Sequence, residues 1–289
     1  MTKRRKIGRE DMLKGIFKIG VLSLMIIALT GCSKGQVNND PNEVAPTNIV
    51  SGEQNAEGKN EDTNTDENDN SSLTGPEGDL ADPIVIAIDA GHGGGFGGAS
   101  YDGRNEKDLT LKMAFYVKEY IEENYSGAEI HLVREKDAAL SGDVKEDLEL
   151  RAQFASDVNA DVFVSLHFNA SDTHDQSGAM VFISNRDHVT EASKSLGEKI
   201  LVELESLGLT NRGTQTRNSN DMFDENGKAL DYYAVNRHSA AINIPGIIVE
   251  HCFMDHPSDQ QFIDSEEDLK ALAKADAIGI ANYFGLSKK

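Results

Sequence analysis

Cysteine is almost missing from this sequence: 289 residues carry two, Cys32 and Cys252, too few for a disulfide framework. Basic charge is also short. Lys and Arg number 28 against 49 Asp and Glu, a net charge of −21, which argues against nucleic acid as a partner. No apolar run is long enough to span a bilayer, since the stretch from about Ile19 to Leu29 falls short of the roughly 20 residues a spanning helix needs. Aromatic residues are absent from Ser33 to Asp82, where twelve acidic residues against two lysines give a charge of −10. Such a segment has nothing with which to bury a core and reads as a solvated, self-repelling tether. No internal repeat is visible, which excludes solenoid and propeller architectures.

What is present begins with the basic cluster Lys3-Arg4-Arg5-Lys6, followed by the short apolar run and then Leu29-Thr30-Gly31-Cys32. That order marks a targeting segment. Leu-x-Gly-Cys resembles the bacterial lipoprotein signal, which implies cleavage before Cys32 and a lipid on that residue, so the chain would be anchored to a membrane rather than span it. The alternative is an uncleaved N-terminal helix with an incidental cysteine; either way the remainder is exported. With Cys32 lipidated, Cys252 has no intramolecular partner, and its apolar neighbours suit a buried small hydrophobe better than a nucleophile. The expected organisation is a signal peptide over 1–31, a lipidated N-terminus and acidic linker over 32–82, and one folded domain over 83–289.

Within that domain, runs rich in Val, Ile and Phe predict strands over 84–88, 129–134, 161–168, 179–183 and 246–250. Helical periodicity predicts helices over 106–124, 147–158, 189–207 and 266–284. Strand and helix alternate, and several strands lack polar alternation. The expected fold class is therefore α/β, a twisted, mainly parallel sheet flanked by helices on both faces. The segment 210–243 is longer than a simple connection and would form either a groove wall or a lid.

Ligands of open α/β sheets gather beyond the carboxyl ends of the strands. His92 follows the first predicted strand within Asp89-Ala90-Gly91-His92-Gly93-Gly94-Gly95-Phe96-Gly97-Gly98, His167 closes the strand 161–168, and Glu250 closes 246–250. Glu106 opens the helix after the glycine loop. Two imidazoles and a carboxylate are the ligand set of a catalytic zinc, and a second carboxylate could serve as its acid/base. There is no His-Glu-x-x-His spacing, so this inference rests on position. Each residue also has a plainer reading: Glu106 as a first-turn acid favouring the helix dipole, His167 as a hydrogen-bonded strand-end histidine. Glu250 after Gly246-Ile247-Ile248-Val249 would be a carboxylate within an apolar strand, which is costly without a partner. A phosphate-cradling role for the glycine loop is weaker, because the loop has neither G-x-G-x-x-G nor a Gly-Lys-Ser/Thr ending.

Taken together, "IAIDAGHGG", "NEKDLTLKMA", "LVRE", "LELRAQFAS", "ADVFVSLHFNAS", "GAMVFIS" and "PGIIVEHCFMDHPSD" resemble the zinc-dependent N-acetylmuramoyl-L-alanine amidases of the amidase-3 family, over nearly all of 83–289. The resemblance implies that 83–289 is a catalytic domain in which His92, Glu106 and His167 hold one Zn2+ and Glu250 is the catalytic acid/base. It implies hydrolysis of the amide between the lactyl group of N-acetylmuramic acid and the first L-alanine of the peptidoglycan stem peptide. Arg134 and Arg151 fall at family-typical arginines and are read as structural ion-pair or capping residues. Asn169 either faces substrate or fixes its loop. Many family members have glycine two residues after the catalytic glutamate, where this chain has Cys252. His251 is expected on the opposite face of its strand, and His256 has no family counterpart.

The expected partners are peptidoglycan as substrate, a membrane through the lipid anchor, and an activator protein of the kind some relatives need to unblock the metal. A monomer on the outer face of the cytoplasmic membrane is expected. Two rival functions share the groove: a non-catalytic peptidoglycan-binding lipoprotein, and a zinc peptidase acting on stem peptides.

Overall fold

The computed structural model describes residues 83–289. Cys32 and the expected signal peptide and linker lie outside the described residues. The strands form where β-branched side chains can fill both faces of a sheet. In β1 (Ile84–Ala90), Ile86, Ile88 and Ala90 enter one apolar cluster and Ala87 enters another. The remaining sheet strands are β2 (Ala128–Leu132), β3 (Val162–Asn169), β4 (Ala179–Ile183), β5 (Asn211–Gln215) and β6 (Gly246–Phe253). Their spatial order is β2-β1-β3-β6-β4-β5. The neighbours β2, β1, β3 and β6 are parallel; β4 runs antiparallel to β6, and β5 follows β4. The sheet is thus mixed but mostly parallel.

Five α-helices cover it: α1 (Glu106–Asn124), α2 (Val144–Asp157), α3 (Asp187–Ser206), α4 (Ala234–Ala241) and α5 (Glu266–Phe284). Met113 and Val117 of α1, Leu196 and Ile200 of α3, and Leu272 and Ile280 of α5 pack on Ile88, Val164, Leu166 and Val249. On the other face, Leu148 and Ala155 of α2 and Val235 of α4 meet Phe163, Phe182 and Ile248. Burying each such side chain is worth about 1.5–3 kcal/mol relative to exposure, enough to fix which way every strand faces. The helix ends are specified locally: Ser265 and Asp268 form a capping box at α5, and Gly285 ends that helix in the left-handed region at φ 64°.

Because β1, β3 and β6 are parallel neighbours, their carboxyl ends open at the same edge of the sheet. All four expected helices match the structure to within a few residues. The segment 210–243 holds more than expected: the edge strand β5, a hairpin of Asn218–Phe223 with Ala229–Asp231, and helix α4. Cys252 is fully buried in the cluster under α1, α3 and α5.

Candidate metal centre

The glycine-rich stretch solves a steric problem at the end of β1. Gly91 donates its N–H to the Leu166 carbonyl at 3.0 Å, and a Cβ at that position would overlap the His167 ring. Gly98, at φ 66°, passes against Glu106 Oε2 and the His92 ring, where a Cβ would collide with both. His92 itself adopts φ 63°, a left-handed conformation that L side chains rarely occupy, so the surrounding structure must hold it there.

The holding group is Arg151, a guanidinium 2% exposed. It donates to the His92 carbonyl at 2.7 Å and to the Ala90 carbonyl at 3.0 Å, while Asp89 and Asp147 accept from it at 2.7 Å each. Ser165 donates to the second oxygen of Asp89 at 2.6 Å. Arg134 braces the next turn, donating to the carbonyls of Ala90, Gly91 and Lys107 at 2.7, 3.0 and 2.7 Å. Both arginines are structural, as the sequence reading expected.

The turn brings His92 against Glu106, the first residue of α1, and both against His167 near the end of β3. Glu106 Oε2 lies 3.1 Å from His92 Nε2, and Glu106 Oε1 lies 2.9 Å from His167 Nδ1. The backbone N–H groups of Ala99 and Phe168 donate to the same carboxylate at 2.8 and 3.0 Å. The rings of His92 and His167 meet edge to face at a centroid distance of 4.8 Å. All three residues are buried, and one ligand atom from each can be chosen so that all lie within 4.8 Å of one another. Among the described residues this is the one such cluster of three or more. Burial acts to raise the Glu106 carboxyl, but the two imidazoles outweigh it and hold Glu106 far below the usual carboxylate range.

These donors fit a zinc ion: two imidazoles and a carboxylate are its usual set with one position left open. His167 Nε2 is buried without a hydrogen-bond partner, a cost that a bound cation would offset.

Glu250 stands opposite His167 in the β6–β3 register and opposite Met180 across β4. It is 1% exposed, and its Oε2 has no hydrogen-bond partner. Burial first, and then the charge of Glu106, push its carboxyl well above the usual range. A carboxyl with raised affinity for a proton, beside a candidate metal centre, is suited to acid–base work. The register between β6 and β3 shifts just past Glu250, before Phe253 pairs with Asn169. Asn169 uses its Oδ1 to accept from Ala170 N at 3.0 Å, while its buried Nδ2 has no partner.

The two discounted histidines lie elsewhere. His251 points to the opposite face, where its Nε2 is 2.7 Å from Asp276 of α5 and its Nδ1 donates to the His167 carbonyl at 2.9 Å. His256 pairs with Ser258 Oγ at 2.8 Å and is not in the cluster. Sequence reasoning missed Asp89 and Asp147, the acids that anchor Arg151. Asp89 carried the same signal as Glu250, a carboxylate at the end of an apolar strand.

Fold and site together define an α/β domain built around a candidate metal centre at the carboxyl ends of three parallel strands. The chain belongs to the N-acetylmuramoyl-L-alanine amidase family, whose model matches residues 86–282, and that family is in general zinc-dependent. It is 30% identical over 212 residues to the endolysin of Bacillus phage SPP1, spanning 71% of this chain and 68% of that protein. Among solved structures, Cwp6 from Clostridium difficile matches at 30% identity with a TM-score of 0.60, over 70% of this chain and 29% of that one. The CwlD amidase from Clostridioides difficile, solved in complex with the GerS lipoprotein, matches at 28% identity with a TM-score of 0.58, over 70% of this chain and 98% of that one. The chain is accordingly an amidase acting on peptidoglycan.

Proposed function

We propose that His92, Glu106 and His167 hold one Zn2+ and that Glu250 is the acid/base for hydrolysis of the amide between the lactyl group of N-acetylmuramic acid and L-alanine. The observation that carries this reading is the placement of Glu250 directly across the sheet from His167, buried, with one oxygen unpartnered. Zinc bound there supplies a Lewis acid that makes water a nucleophile near neutral pH and polarises the scissile carbonyl. Glu250 takes the proton from the attacking water as the C–O bond forms. The C–N bond then breaks, and Glu250 returns the proton to the departing L-alanine nitrogen. No covalent link to the protein is required. The free Nδ2 of Asn169 donates to substrate, while its Oδ1 keeps the loop after β3 in place.

Cys32 carries lipid in this account, residues 32–82 act as the tether, and the domain works as a monomer on the outer face of the cytoplasmic membrane. An activator protein is part of the reading by analogy with CwlD, which was solved with a lipoprotein bound.

The test is digestion of peptidoglycan with the purified protein, counting new amino termini against new reducing sugar ends. New L-alanine amines that vanish on chelation and return with zinc are expected. Release of other amino termini would make the protein a peptidase, and binding without release would make it a wall-binding protein.

A further inference from the structure

The guanidinium groups near the hairpin that follows β5 are mostly committed. Arg186 pairs with Asp224 at 2.7 Å, Arg212 donates to Gln176 and to the Ser177 carbonyl, and Arg237 donates to the Asp231 carbonyl. Arg217 differs. It is half-buried, its guanidinium lies 3.9 Å from the centroid of the Tyr232 ring, and one N–H donates to the Tyr233 hydroxyl at 3.2 Å. No carboxylate of the described residues lies within ion-pairing distance of it. Arg134, Arg212 and Arg237 likewise pair with no carboxylate among the described residues, but each donates to backbone carbonyls, whereas Arg217 donates to the Tyr233 hydroxyl and keeps its other N–H groups for a partner outside the chain.

Its position relates it to the candidate metal centre. Tyr233 is buried and packs on Phe182 of β4 at 4.6 Å between ring centroids. Phe182 stands across from Ile248, two residues before Glu250 and on the same face of β6. Burial first, and then the charge of Glu250, push the Tyr233 phenol up, so the hydroxyl that accepts from Arg217 stays neutral. Stacking fixes the guanidinium plane and Tyr233 takes part of its edge. The remaining N–H groups form a fork of the shape that binds a carboxylate through two parallel hydrogen bonds.

We propose that Arg217, held on Tyr232 and Tyr233, binds a carboxylate on the peptide side of the substrate, so that the enzyme selects stem peptides whose carboxylate near the scissile amide is free over those in which it is amidated. The inference rests on the hydrolytic reading above for the identity of the substrate.

The experiment uses two muropeptide probes that differ only in that carboxylate, free in one and a carboxamide in the other. The whole protein, Arg217→Gln and Arg217→Lys are compared by kcat and KM, and by calorimetric binding of the corresponding free peptides. The wild type is expected to show a KM roughly tenfold lower for the free carboxylate, about 1.4 kcal/mol, with kcat little changed. Arg217→Gln loses this discrimination, and Arg217→Lys, which keeps the charge without the planar fork, keeps part of it. Absence of discrimination in the wild type overturns the proposal without any variant. So does an Arg217→Gln protein with an unchanged thermal midpoint that weakens both probes alike or neither. If the wild type cleaves neither probe yet binds the carboxylate peptide more tightly through Arg217, the hydrolytic reading falls and the carboxylate site stands. Cleavage of both probes without dependence on Arg217 gives the reverse result.

Discussion

The left-handed backbone of His92 and the glycines on either side of it are one arrangement, because the loop must let a histidine, a glutamate and a second histidine converge without side chains between them. Gly91→Ala would drive a methyl into the His167 ring. The expected outcome is loss of the metal along with the activity, read by zinc content of the purified variant. Glu250→Ala should behave differently, leaving zinc bound while lowering kcat by roughly 10²–10⁴, the usual contribution of a general acid/base. At this scale the sequence made four residues visible, His92, Glu106, His167 and Glu250, because each is a titratable side chain at the end of an apolar strand or the start of a helix. Arg217 was not visible. The role proposed for it depends on Tyr232 and Tyr233, which reach it through a hairpin and leave no short-range pattern in the chain.

Among the elements, β1 and α2 are tied by the buried set Asp89, Arg151 and Asp147, which also clamps the His92 carbonyl. Arg151→Met would leave two buried carboxylates without their cation. A loss of about 3–5 kcal/mol in unfolding free energy is expected, measurable by chemical denaturation. The same set imposes a pH dependence. Burial acts to raise the Asp89 carboxyl, but Arg151 and Ser165 outweigh it and hold it below 3.8. A depressed folded-state value contributes stability that is present above the unfolded value and lost as pH falls through the folded one. Acid denaturation should therefore steepen below about 3.8 in the wild type and be shallower there in Asp89→Asn. The long elements were legible because their apolar periodicity runs over many residues: α1 and α5 occupy the spans predicted for them. Strand β5, Asn-Arg-Gly-Thr-Gln, was not, since a polar edge strand lacks an apolar signature. Helix α4 has eight residues, too few for a helical period to stand out from a loop. The reversal of β4 against β6 is also absent from local sequence, because strand direction is set by the connections and not by composition.

For the whole molecule, the account joins an amidase domain to a lipid on Cys32 through an acidic tether. Cys32→Ala should move the protein from the membrane fraction to the soluble fraction while leaving its rate on soluble muropeptides unchanged, which fractionation and a product assay would read together. In the proposed mechanism, binding the metal and moving the proton are separate duties of separate residues. The most direct measurement is zinc per chain alongside amide cleavage for the wild type, for His92→Ala, Glu106→Ala and His167→Ala, and for Glu250→Ala. The account predicts one zinc in the wild type and in Glu250→Ala, loss of zinc in the other three, and new L-alanine amino termini at full rate from the wild type alone, with Glu250→Ala slower by roughly 10²–10⁴. Retention of zinc in all three ligand variants, or new L-alanine amino termini formed by Glu250→Ala at the wild-type rate, would contradict it.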